Sequence, residues 1–139
     1  MPIPARHAAA AIAILALAGW SGAASADWIE STVRHGQSAQ LSPIMTYGKN
    51  DCASYPIKDL KITVPPAHGS ATFVTKKVTL GEDTGVCSGT AFDAPWLVYD
   101  PTPGYVGTDS ISISWKFTLY DNGIFMKYAT RDFTINVSP

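Results

Sequence analysis

The sequence predicts an all-β domain, an antiparallel β-sandwich of about seven or eight strands, and three observations carry that expectation. Apolar and polar residues alternate in short runs bounded by Gly, Pro, Asn and Asp, the pattern of strands with one face buried. Past Asp27, no window of about eleven residues spaces its apolar positions at the helical period, and no capping signature precedes one. A parallel sheet needs helical crossovers, so the strands must pair mainly antiparallel.

Residues 1–26 differ from the rest. Arg6 and His7 precede a twelve-residue stretch of Ala, Ile and Leu closed by Gly19, and Ala24-Ser25-Ala26 follows. This reads as a secretory signal peptide cleaved before Asp27. The apolar stretch falls short of the roughly 20 residues that span a bilayer, and no Cys follows the cleavage point to accept lipid. The expectation is a soluble secreted or periplasmic protein with no membrane insertion. Residues 27–139 contain neither linker nor repeat and are expected to form one domain.

Within them the early strands are expected at Trp28–Arg34, Ala39–Tyr47, Leu60–Val64, Ala71–Val74, Lys77–Leu80 and Trp96–Tyr99, with Pro65-Pro66 ending the third. The clearest alternation runs from Asp109 to Tyr120. It sets Ile111, Ile113, Trp115, Phe117 and Leu119 on one face and Ser110, Ser112, Ser114, Lys116 and Thr118 on the other. Phe133, Ile135 and Val137 alternate likewise in the closing segment.

Asp121-Asn122-Gly123 is a hairpin turn signal between these two strands, and two registers compete. A two-residue loop at Asn122-Gly123 would place Leu119 opposite Met126 and Phe117 opposite Tyr128, and it needs a β-bulge between Ala129 and Asp132 to bring Phe133 inward. A three-residue loop would oppose Ile111 to Phe133 directly but turns Lys127 and Arg131 toward the core. The first is preferred because it keeps those charges out.

Ten basic and eleven acidic residues, with no run of either sign, leave no electrostatic footprint for nucleic acid or an anionic membrane surface. Cys52 and Cys87, an even count in an exported chain, are expected to form one disulfide. A metal or redox pair would want Cys-x-x-Cys spacing or nearby His ligands, and the intervening residues offer only His68.

Two stretches stand out together: Pro66 to Phe73, PAHGSATF, and Tyr99 to Trp115, YDPTPGYVGTDSISISW. They resemble the bacterial immunoglobulin-like and cadherin-like repeat domains of large surface and secreted proteins. There, a Pro-x-His-Gly turn opens a strand, and Tyr-x-Pro-x-x-Gly-Tyr-x-Gly-x-Asp-Ser leads into the long penultimate strand. Pro66, His68, Gly69, Tyr99, Pro101, Gly104, Tyr105, Gly107, Asp109 and Ser110 hold those places here. The resemblance implies an immunoglobulin-like sandwich and an interaction role. Residue chemistry agrees that these are fold-specifying parts: the prolines keep the chain extended, the glycines permit tight turns, and Asp109 can accept hydrogen bonds from nearby backbone. The chain departs from the family in standing as a single copy and in spacing Gly69 from Tyr99 by 29 residues, more than the family needs. The excess, Thr75 to Pro95, carries Cys87, so a disulfide would tie it to the loop from Lys49 to Tyr55.

No catalytic, cofactor or metal residues are assigned. His68 reads as a turn residue, and His35 is the other histidine past the leader. Serines are plentiful, but no nucleophile elbow accompanies them. Calcium is the better metal candidate, since Glu82, Asp83, Asp93, Asp100, Asp109 and Asp121 fall at expected loops or strand ends, but they lack dense oxygen-ligand spacing. Aromatic residues are the better recognition candidates, with Tyr55, Thr84 and Trp96 marking candidate binding loops tied by the cysteines. The expected function is a non-enzymatic interaction module of the envelope or extracellular space, binding protein or glycan through loops. The alternatives are a small secreted enzyme or metal-handling protein using the 75–95 segment, and a purely structural envelope component.

Overall fold

The computed structural model describes residues 27–118 and 125–139. Nine strands are present among them: β1 Asp27–Arg34, β2 Ala39–Pro43, β3 Thr46–Tyr47, β4 Ser54–Tyr55, β5 Ile57–Val64, β6 Gly69–Thr79, β7 Ala91–Pro101, β8 Gly107–Thr118 and β9 Met126–Ser138. They form a four-stranded sheet in the order β1-β9-β8-β5, a three-stranded sheet β2-β7-β6, and a small β3-β4 ribbon. The fold is an all-β sandwich.

Side-chain parity explains the core. Ile111, Ile113 and Trp115 of β8 and Phe133, Ile135 and Val137 of β9 are buried, as their alternation predicted, and Leu97 and Tyr99 of β7 meet them from the other sheet. Val33 and Ile44 complete this cluster. The serines of β8 take the opposite face.

The boundaries differ from expectation where local residues override alternation. Pro43 ends β2, splitting the expected Ala39–Tyr47 strand in two. The two short strands expected within 71–80 are one eleven-residue strand, β6, because its hairpin with β7 runs unbroken from Gly69↔Pro101 to Thr79↔Ala91. About half of the Thr75–Pro95 excess, Thr75–Thr79 and Ala91–Pro95, is therefore an extension of that hairpin. Only its tip is irregular, a short 3₁₀ segment at Glu82–Cys87. β1 pairs with β9 in parallel, Asp27↔Arg131 through Arg34↔Ser138, an exception to the expected antiparallel pairing. First and last strands can lie side by side in parallel because the whole domain serves as their crossover.

The preferred hairpin register is overturned. β8 and β9 pair odd with odd from Gly107↔Val137 to Thr118↔Met126, with Ile111 opposite Phe133 and no bulge between Ala129 and Asp132. This is the register of the three-residue loop; the turn itself, Asp121 to Gly123, lies outside the described residues, as do Leu119 and the 1–26 leader. The inward charge that argued against it is resolved by partners. Arg131 Nε donates to Asp27 Oδ2 at 2.7 Å, Nη1 donates to Ser42 Oγ at 2.8 Å and to Pro43 O at 3.2 Å, and the guanidinium lies 5.2 Å from the centre of the Trp115 ring. One side chain thus ties β1 and β8 to β2 across the two sheets. Lys127, nearer the strand end, reaches solvent.

The two family-like stretches meet at the opposite end of β8. Asp109, 4% exposed, accepts hydrogen bonds from the backbone N–H of Ala67, His68 and Ser110 at 2.9, 3.0 and 2.9 Å and from the Tyr99 hydroxyl at 2.8 Å. The carboxylate thereby holds the Pro66–Gly69 turn against the strand it enters. Gly69 is required there, since a Cβ would stand 2.5 Å from the Asp100 carbonyl and 2.7 Å from the Tyr99 ring. Burial pushes the Asp109 carboxyl up, but the Tyr99 hydroxyl and the three N–H donors outweigh it and hold it below the usual carboxylate range. Burial, then the Asp109 carboxylate, pushes the Tyr99 phenol well above its usual value.

Two stability measurements follow. Asp109→Asn keeps the shape but turns an amide N–H₂ toward groups that are all donors, and urea unfolding at pH 7 should show a loss of about 2–4 kcal/mol. Because the folded carboxyl titrates low, the wild-type advantage should be complete above about pH 4 and shrink as pH falls further through the folded value. Arg131→Ala should cost about 2 kcal/mol by losing charge-assisted bonds to Ser42 and Pro43, with the loss little changed by salt because the side chain is only 17% exposed.

Candidate functional site

The outer face of the four-stranded sheet carries hydroxyl-bearing and charged side chains because every core residue of β8 and β9 turns the other way. Ser110, Ser112, Ser114 and Lys116 line it from β8, and Tyr128, Thr130, Asp132 and Thr134 stand beside them on β9 in register. Two large aromatics interrupt this polar surface: Tyr128 is 75% exposed and Trp28, beside Asp132, is 69% exposed.

Edge strand β5 breaks the regularity. Between the pairs Lys58↔Lys116 and Lys61↔Ser114, two residues, Asp59 and Leu60, oppose the single residue Trp115. Asp59 adopts the left-handed backbone conformation, φ 51°, which Asp tolerates better than most side chains. This β-bulge aims the Asp59 carboxylate across the sheet, where it meets Lys116 Nζ at 2.6 Å. Each partner favours the charged form of the other: the hydrogen bond and charge of Lys116 lower the Asp59 carboxyl, with Lys61 and Lys58 adding to the effect, and Asp59 raises Lys116. The same ammonium lies 5.3 Å from the centre of the Tyr128 ring.

Beside this chain of contacts the face opens into a groove of about 390 Å³. Its floor is the Trp115–Ala129 pair, whose side chains pack toward the core. Tyr128, Lys116 and Asp59 form one rim; Thr130, Ser114 and Lys61 form the other. An aromatic plate, hydroxyls and fixed charges around a shallow concavity are the groups by which a site can orient a ligand through stacking and hydrogen bonds.

In sequence and in fold, the chain matches no family model, curated protein or solved structure.

The residues singled out in the sequence are dispersed. Tyr55 lies in β4 and lines a second groove of about 270 Å³ with Ile44, Ile57 and Pro95. Thr84 lies in the 3₁₀ segment, where its hydroxyl hydrogen-bonds the Gly81 carbonyl. Trp96 lies within β7 between Pro43 and Val74, and its indole N–H is buried without a partner. Neither Thr84 nor Trp96 lines either groove. His68 stacks its ring on Tyr105, 4.0 Å between centroids, and His35 lies exposed just past β1; neither borders a groove. Of the carboxylates weighed for calcium, Asp109 is taken by the turn, Asp93 pairs with Lys77 at 3.8 Å, and Asp121 lies outside the described residues. Among the described residues no three His, Cys, Asp or Glu side chains gather in a group able to hold a metal ion.

Cys52 and Cys87 form the expected disulfide, with the Cα atoms 5.3 Å apart. It joins the β3-β4 ribbon to the tip of the β6-β7 hairpin. Cys87 is fully buried, with its Sγ against the Gly48 and Lys49 carbonyls at 3.6 and 3.5 Å. Cys52 is held at positive φ, 56°, by its N–H bond to Gly48 O. Tyr47 and Phe92 add a ring contact between the same two elements.

The residues of this groove that the sequence did not single out are Lys116 and Asp59. Tyr128 was visible as an aromatic residue and Lys116 as the one charge on the polar face of β8, but only the register and the β5 bulge place them together.

Reduction should add about 2 Da to the intact mass, one hydrogen per sulfur. The Cys52→Ser, Cys87→Ser double variant should lose up to about 4 kcal/mol in the chain-entropy description. Hydrogen exchange should accelerate chiefly at residues 46–55 and 80–90, because neither cysteine belongs to the main core cluster.

Proposed function

We propose that residues 27–139 form an exported, non-enzymatic β-sandwich binding module of the cell envelope or extracellular space, which engages a protein or glycan partner through the groove beside Tyr128. The observation that carries this reading is the exposed Tyr128 ring held over a polar, bulge-built groove by Lys116 and Asp59. Export is supported by the leader-like composition of residues 1–26 and by a disulfide that oxidising compartments favour. No helix among the described residues is long and apolar enough to cross a membrane. The resemblance of Pro66–Phe73 and Tyr99–Trp115 to bacterial immunoglobulin-like repeats points to interaction rather than catalysis. Against an enzyme stands the position of both histidines, away from the grooves.

A sheet face is a better contact than a sheet edge here. The long outer edge, β6, carries Lys76 and Lys77, charges that oppose strand addition. A recognition role is favoured over a purely structural one by exposed Tyr128, which does not stand alone but lines a groove together with Lys116 and Asp59.

The test is retention of the purified 27–139 chain on isolated envelope material. Tyr128→Ala should abolish retention without changing the melting temperature, because the side chain is mostly exposed. Tyr55→Ala should leave retention intact. Loss with Tyr55→Ala alone would move the site to the cysteine-tied segments.

A further inference from the structure

We infer that the Tyr128 groove takes an acidic glycan, a chain of sugar rings bearing carboxylates, and the inference rests on the binding-module reading above. Three features of the groove converge on that chemistry. The Tyr128 ring offers a flat apolar plate of the size of a pyranose, and a sugar presents a matching apolar face in its axial C–H groups. Ser114 and Thr130 on the opposite rim stand two residues along their strands from Lys116 and Tyr128, roughly 6–7 Å away, which is the width of one ring with its equatorial hydroxyls. The third feature is charge. Lys61 and Lys116 line the groove, Lys58 stands next to Lys116 in the register just outside it, and Asp59 is the sole acidic residue among the lining side chains.

The charge pattern decides between neutral and acidic sugars. The full sequence carries one more acidic residue than basic, yet the groove lining holds two lysines to one carboxylate. Asp59 is committed to Lys116, so Lys61 is left on the groove, with Lys58 close by, and among the described residues neither has an ion pair of its own beyond that shared carboxylate. A neutral sugar would leave those ammonium groups unused. A carboxylate on the ring that stacks on Tyr128 would be met by Lys61, while the ring's hydroxyls would be met by Ser114 and Thr130. The same reasoning separates this ligand from a ring-free acidic peptide such as polyglutamate, which supplies the charge without a ring face for Tyr128. The lysine surplus also raises the association rate for an anion and makes binding salt-dependent.

The experiment measures binding of the intact 27–139 chain to polygalacturonate oligomers of about six residues, to the same oligomers with carboxyls reduced to alcohols, and to polyglutamate of equal charge. Acidic-oligomer binding is expected to exceed the other two by at least about ten-fold, and to weaken as salt is raised. Tyr128→Ala should weaken it about ten-fold or more, since loss of a stacked aromatic contact is of that order. The Lys58→Gln, Lys61→Gln pair should weaken it several-fold and flatten the salt dependence. The Lys76→Gln, Lys77→Gln pair makes the same change of charge on the other sheet and should have no effect. Equal binding of polyglutamate would overturn the glycan assignment, and equal binding of the carboxyl-reduced oligomer would overturn the acidic one. If no oligomer binds while envelope retention still depends on Tyr128, the acidic-glycan inference fails and the binding-module reading stands. If retention does not depend on Tyr128, both fail together.

Discussion

The unbroken ladder between β8 and β9 governs the rest of the molecule. Twelve consecutive pairs from Gly107↔Val137 to Thr118↔Met126 fix the parity of both strands, and parity is binary: each side chain faces either the other sheet or the solvent. Ile111, Ile113 and Trp115 then meet Phe133 and Ile135 in the core, and the serines, Lys116, Thr130 and Tyr128 are left on the outer face together. A slip of one residue on β9 would bury Thr134 and Asp132 and expose Phe133. The polar outer face that carries the proposed groove is thus the by-product of the same register that builds the core.

That register brings one charge inward, and the fold accommodates it rather than avoiding it. Arg131 stands where a core residue is expected, opposite Ile113, but close enough to the end of the sandwich to reach out between the sheets. Its guanidinium finds a carboxylate on β1, a hydroxyl and a carbonyl on β2, and an indole face on β8. A lysine could not make these bonds at once, because a single ammonium lacks the planar array of donors. The parallel β1–β9 pairing matters here too, since it sets Asp27 directly beside Arg131. At the far end of β8 the buried polar group is Asp109, and again every lone-pair direction in use meets a donor. Buried polar groups that are fully partnered specify one arrangement, and these two fix the same hairpin at two points, near its open end and at its middle.

How much of this could be read from the residues follows from the range of the interactions involved. Alternation is local, so the core faces of β8 and β9 were legible, and so were the turn role of Asp109 and the pairing of the two cysteines. The register was not, although both versions could be written down. Weighing Arg131 as an uncompensated inward charge favoured the wrong one, because its partners Asp27 and Ser42 are 104 and 89 residues away in sequence. The groove was illegible for the same reason. Its key device, the bulge at Asp59, has no signature in the run Ile57–Val64, and Asp59 acquires meaning only when β8 lies alongside. Strand lengths erred where a hairpin outgrew its alternation, as in β6, whose Lys76-Lys77 looked like a break but sits on an exposed edge.

The same reasoning separates the outer sheet face, where the proposed groove lies, from the cysteine-tied loops. The cysteine-tied segments looked like the natural site because they lengthen the chain beyond what its strands require. In the fold that length is consumed by structure: the hairpin extends in register to Thr79 and Ala91, the 3₁₀ tip buries Cys87, and the disulfide anchors the tip to a ribbon of four paired residues. Thr84 turns its hydroxyl onto its own backbone. The outer face of β8 and β9, by contrast, must carry polar side chains at every second position whether or not anything binds there. A single bulge on the neighbouring edge strand was enough to turn part of that obligatory polar face into a concave site, by moving one carboxylate across to a lysine and setting that lysine against an aromatic ring.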